Sequence, residues 1–145
     1  MNLENSNARF WMSFGCLLAA LTVGLGAFGA HGLEDRITAS VEDPEKNMGY
    51  WETATRYQMY HCIGIIVVVL GCALSGARRI FDVTGTLFVF GILIFSGFLY
   101  AIALTDIKFL GAIVPIGGLA MIVGWVTLAI GFFGSPKLPT GRNDE

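Results

Sequence analysis

Gly24-Leu25-Gly26-Ala27-Phe28-Gly29-Ala30-His31-Gly32 closes the first apolar run of the chain and decides how the rest is read. Its glycines and alanines leave a helix surface with almost no side-chain bulk, so a second backbone can approach closely. Such close packing is a main source of adhesion between helices in a bilayer, where lipid tails are as apolar as leucine. His31 then stands where the apolar run meets polar sequence.

Working outward, the apolar residues fall in four blocks, at 10–30, 57–74, 83–104 and 109–133, with the charges between and outside them. Of 145 residues, 54% are hydrophobic and 14% charged, against about 25% charged in a soluble domain. Each block has about the 20 residues needed to cross a hydrocarbon core of about 30 Å. Lipid offers no partner to backbone N–H and C=O groups, so such blocks must be helices. The fold class is all-α: one membrane domain over 1–145, a four-helix bundle with an interfacial helical extension before the second span. The first block outlasts the ~7–15 residue core of a secretory signal and reads as a retained helix. The polar tail at 135–145 is expected to be disordered.

Within the first block, Gly15, Ala19, Thr22, Gly26 and Gly29 recur at steps of three and four and form one packing face. Ala20, Gly24, Ala27 and His31 read as a neighbouring stripe, suited to a second copy of the chain. In the second block Tyr50, Ala54, Tyr57, His61, Gly64, Val68, Gly71 and Ser75 fall on one seam. In the fourth, Gly117, Ala120, Gly124, Thr127, Gly131 and Gly134 form another. Pro115 should kink that helix, Asp82 reads as the cap of the third, and Glu52 can pair with Arg56 one turn on.

The chemistry-bearing residues gather on the side of the first and third loops. His31, Tyr57, Gln58, His61 and Tyr100 are expected as one polar cluster at that interface, either locking the bundle or receiving a ligand, since ionisable groups within spans invite a functional reading. The bland alternative, capping and aromatic-belt duty, carries more weight. Two histidines and the distant Asp106 fall short of a zinc ligand set, so no metal and no cofactor is expected. Cys16, Cys62 and Cys72 lie inside apolar blocks without paired spacing and read as small hydrophobes. No nucleophile elbow, phosphate loop or metalloprotease motif occurs. A net charge of −2 argues against nucleic acid as a partner.

Gly26-Ala27-Phe28-Gly29-Ala30-His31-Gly32-Leu33, Trp51-Glu52-Thr53-Ala54 and Arg56-Tyr57-Gln58-Met59-Tyr60-His61 resemble the YgdD/transmembrane protein 256 family, the domain of unknown function 423. Phe95-Ser96-Gly97, Leu99-Tyr100-Ala101 and Pro115-Ile116-Gly117-Gly118 continue the resemblance in the same order. It implies a small multi-pass protein of a bacterial inner membrane or an organelle, and implies no activity. The sequence therefore points to a non-enzymatic helix-packing or assembly module. A small-solute or lipid transporter acting as an oligomer is the alternative. Its partners are the bilayer, a second copy or other membrane proteins. Lys and Arg near the span ends put both termini in the cytoplasm.

Overall fold

The computed structural model describes residues 6–33, 36–37, 40–75 and 78–134. The tail, the acidic pair Glu34-Asp35 and the turn at Gly76-Ala77 lie outside them, as do the side chains of Ser75 and Arg78. Five α-helices are needed to describe the four spans. α1 (Ser6–Phe28) ends in a π-helical turn (Gly29–Leu33), and α2 (Pro44–Ser75) is unbroken. α3 (Arg78–Gly91) passes through a π-helical segment (Ile92–Ser96) into α4 (Gly97–Thr105). A 3-10 turn (Lys108–Ala112) then leads into α5 (Val114–Phe133). Four stretches are long and apolar enough to cross a bilayer: Ala8–Leu33, Pro44–Ala73, Arg79–Thr105 and Lys108–Phe133. The termini of the bundle share one side, and the first and third loops the other, here called the loop side.

Local chemistry accounts for the boundaries. Pro44 opens α2 where its missing N–H costs nothing, and the Asp43 carboxylate accepts from the Lys46 N–H at 3.1 Å. Asp106 ends α4 in the left-handed conformation (φ 55°), its N–H donating to the Ile102 carbonyl at 2.9 Å. The buried Asn47 amide reaches the same end, 3.4 Å from the carbonyls of Ile102 and Ala103 and from Asp106. The third and fourth spans are thereby joined by a tight turn that the second span caps.

Two expectations for these elements are corrected. Asp82 does not cap α3. It lies inside that helix and accepts the Trp11 indole N–H at 2.9 Å, tying α1 to α3 on the termini side. Pro115 kinks nothing: it stands in the first turn of α5, a position where proline breaks no helical bond.

The core is a ladder of phenylalanines in glycine notches. Phe81 and Phe88, a heptad apart on α3, are fully buried. A Cβ on Gly71 of α2 would collide with the Phe81 ring, and one on Gly131 of α5 would come within 3.0 Å of it. One layer toward the loop side, Phe88 fits between Gly64 and Gly124, where added Cβ atoms would lie 2.8 and 2.6 Å from its ring. Thr84 and Thr127 bridge α3 and α5 between these layers at 2.9 Å. In the next layer α2 offers Tyr57 instead of a glycine, and the Phe95 ring lies against it at 4.7 Å. There α3 and α5 touch through backbone, since a Cβ on Gly117 would strike the Phe95 amide and come 3.0 Å from the Gly91 carbonyl oxygen.

The first span leans on α2 alone over most of its length. Gly15 faces Ile65 and Ile66, Gly26 faces Thr55 and Gly29 faces the Trp51 indole, whose N–H donates to the Leu25 carbonyl at 3.0 Å. Ala20, Gly24, Ala27 and His31 are exposed. At about 100° per residue their stripe lies nearly opposite the packing face rather than beside it, which corrects the earlier expectation. A Cβ added to Gly24 would meet no neighbouring element within 4 Å among the described residues.

Candidate functional site

His61 stands midway along α2 between Asn47, at the loop-side end of the bundle, and Ser75. That puts the imidazole near the bilayer midplane, not at the interface where the sequence suggested it. An aqueous end is about 21 Å away at 1.5 Å per residue. A polar ring at such depth must have its hydrogen bonds met internally, and it does. Nδ1 is 2.7 Å from the Tyr57 carbonyl one turn back. The Trp125 indole N–H of α5 donates to Nε2 at 3.2 Å.

These partners define the protonation state. A carbonyl only accepts and an indole N–H only donates, so the arrangement is satisfied by neutral imidazole with its proton on Nδ1. Aromatic rings enclose it: Tyr57 stacks at 6.3 Å, Phe88 presents an edge at 5.4 Å and Trp125 lies at 6.0 Å. Neither nitrogen has a free lone pair for a metal, and no group of three or more His, Cys, Asp or Glu side chains is placed to bind one among the described residues. The ring is a hydrogen-bonded pin between α2 and α5.

Beside the pin a groove of about 670 Å³ opens toward lipid, walled by Tyr57, Tyr60, His61, Phe95, Gly118 and Trp125. It begins at the layer where Tyr57 breaks the phenylalanine–glycine ladder. Tyr60 and Trp125 are 52% and 42% exposed, so its rim is aromatic and its mouth apolar.

Of the candidate residues Tyr57 joins His61, while His31 and Tyr100 lie elsewhere. His31 is exposed on the π-helical turn. Gly29 is level with Trp51, so the two histidines are separated by at least about 15 Å along α2, ten residues at 1.5 Å each. Tyr100 belongs with Trp51, their rings 4.6 Å apart, and its hydroxyl donates to Thr55 at 3.2 Å. Gln58 is buried (3% exposed) one turn from Ala54 and Cys62. Cys62 is buried 3.8 Å from the Thr22 hydroxyl, which itself donates to the Leu18 carbonyl. Ser96, at the end of the π-helical segment, donates to the Ala54 carbonyl at 2.9 Å. By contrast, Gly15, Gly26, Gly29, Gly64, Gly71, Gly117, Gly124 and Gly131 each face a neighbouring span.

Trp125 and Phe88 were not singled out from sequence. The available signal was indirect: Trp125 follows Gly124 of the small-residue seam, so it sits at the edge of a packing face. The pin carries a measurable expectation. His61→Phe and Trp125→Phe should each cost about 1 kcal/mol, the scale of hydrogen bonds between spans. The double variant should cost less than their sum, since either change alone breaks the bond. Additive losses in detergent unfolding would show that the two rings do not act as a pair.

A bundle of four apolar helices, sealed by glycine packing and carrying one neutral imidazole at mid-depth, is a multi-pass α-helical membrane protein. The chain belongs to the DUF423 family: the family model, described as a protein of unknown function (DUF423), matches residues 25–118. It is 47% identical over 123 residues to a UPF0382 membrane protein of Staphylococcus epidermidis (strain ATCC 12228 / FDA PCI 1200), covering 84% of this chain and 93% of the relative. It is 42% identical over 123 residues to the UPF0382 membrane protein YwdK of Bacillus subtilis (strain 168), covering 84% and 94%. No solved structure matches the chain.

Proposed function

We propose that this small membrane protein is a non-enzymatic assembly module that pairs with a second copy through the open face of α1. The supporting observation is the exposed stripe of Ala20, Gly24 and Ala27, where a Cβ added to Gly24 would meet no neighbouring element within 4 Å among the described residues. Against lipid alone, small residues gain nothing over leucine. Against another helix they permit the close backbone contact that holds spans together. The stripe lies opposite the face used by α2, so pairing leaves the protomer intact.

The alternative, a carrier of lipid or small solute working as an oligomer, draws on the groove beside His61. It loses the broken-helix argument, because Pro115 starts α5 instead of interrupting it. Both termini are assigned to the cytoplasm of a bacterial inner membrane, on the strength of Arg9, Arg78 and Arg79 at the termini-side span ends. A reporter fused after Glu145 that is active only outside the cell would reverse that orientation.

Pairing is tested by oxidative crosslinking in native membranes. Gly24→Cys, in a Cys16→Ala background, should give a disulfide-linked dimer. Leu93→Cys, exposed on another span, should give none. No dimer at position 24, or equal yields at both, overturns the assembly reading.

A further inference from the structure

On the loop side, a notch of about 370 Å³ separates the first span from α2, lined by Gly26, Gly29, Trp51, Glu52, Thr55 and Arg56. Gly26 and Gly29 bring the first span close to Thr55 and Trp51 there, and the Trp51 wall of the notch is fixed by the hydrogen bond to Leu25. Glu52 and Arg56, one turn apart on α2, both line it. They were expected to pair with each other and do not: among the described residues the ion pairs are those of Lys108 with Glu42 and Asp106. An anion and a cation thus face the same notch, each lacking a partner of opposite charge among the described residues.

Depth narrows what can supply those partners. The second span, Pro44–Ala73, is longer than a hydrocarbon core of about 30 Å needs; measured from the midplane at His61, the core's loop-side edge falls about 15 Å away, ten residues along α2, at Trp51. Glu52 therefore lies near the hydrocarbon edge and the Arg56 Cα about 7 Å inside it, five residues along the helix. An arginine there extends its apolar stem along the helix and carries its guanidinium back to the headgroup layer. Both charges then stand at headgroup level beside a notch with room for a small polar group.

We propose that this notch binds the headgroup of a zwitterionic phospholipid of the phosphatidylethanolamine type, with Arg56 on the phosphate and Glu52 on the ammonium. Guanidinium and phosphate make charge-assisted hydrogen bonds in matching planar geometry. A primary ammonium gives Glu52 a hydrogen-bond donor, which the methylated ammonium of phosphatidylcholine lacks. An anionic headgroup such as phosphatidylglycerol satisfies Arg56 and leaves Glu52 unpaired. Charge complementarity thus selects among lipids that all share a phosphate and two chains.

The test uses the full chain purified in detergent, with lipid adducts counted by native mass spectrometry. Dioleoyl-phosphatidylethanolamine, -phosphatidylglycerol and -phosphatidylcholine are added in turn. Wild type should retain the ethanolamine lipid with a roughly five-fold preference, the upper size of one exposed ion contact. Glu52→Gln should remove that preference while adducts persist, and Arg56→Gln should weaken retention of all three. Both positions are exposed, so melting in lipid-free detergent should be unchanged and folding is controlled. Equal retention of the three lipids by wild type, or a preference that survives both substitutions, overturns the proposal. Full competition by soluble phosphoethanolamine overturns its lipid source and leaves only a free zwitterion.

Discussion

Replacing Gly117 by leucine is expected to destabilise the bundle more than any other single glycine substitution in the last span. The new Cβ would land on the Phe95 amide and 3.0 Å from the Gly91 oxygen. Neither is the end of a flexible side chain, so α3 and α5 must separate along their closest contact. The loss should exceed the ~1–3 kcal/mol typical of overpacking a core. The adjacent residue is the control. A Cβ on Gly118 meets Phe95 at an ordinary 3.5 Å, and a longer side chain there projects into the lipid-facing groove. Gly118→Leu should therefore melt close to wild type in detergent. Gly124→Leu should fall between, because the obstacle at 2.6 Å is the Phe88 ring, which can tilt at some cost. Equal losses at 117 and 118 would show that α3 and α5 are not in backbone contact.

That contrast between neighbouring glycines also marks what could be read from the chain. The spans were legible because bilayer thickness dictates their length. The glycine seams were legible because small residues at helical spacing stand out among leucines. Their occupants were not. Phe81 and Phe88 fill notches while Phe90 and Phe10 are 46% and 58% exposed, and within an apolar block nothing local tells one phenylalanine from another. His61 was placed too near the surface because Glu52 and Arg56 made the second apolar run seem to begin at Tyr57. The helix in fact starts at Pro44, so the tyrosine-rich segment is part of the bundle. The bond from Trp125 to His61 joins residues 64 apart, a pairing that helix periodicity cannot supply. Pro115 was misread for a simpler reason: the apolar block continues through the 3-10 turn, which hides where α5 begins.

Phe88→Ala follows as the second large effect. Phe88 is fully buried, with Gly64 on one side and Gly124 on the other, so neither flanking position has a side chain that could fill the space. Truncating a buried phenylalanine costs about 3–5 kcal/mol in water-soluble cores. Part of that figure is transfer from water, which spans already in lipid do not recover. The remainder is lost contact across a cavity that the flanking glycines do not fill, so about 2–3 kcal/mol is expected here. Phe95→Ala should cost less, since that ring rests on Tyr57 at the wall of an open groove that lipid can enter. Truncating Phe88 also removes the edge that holds the His61 ring at 5.4 Å, so the Trp125 environment should change with it. The two variants are compared by unfolding in mixed micelles, with indole fluorescence recorded in a chain that keeps Trp125 alone. A larger loss for Phe95→Ala, or an unchanged Trp125 signal in Phe88→Ala, would mean that the ladder is not what holds the second, third and fourth spans together.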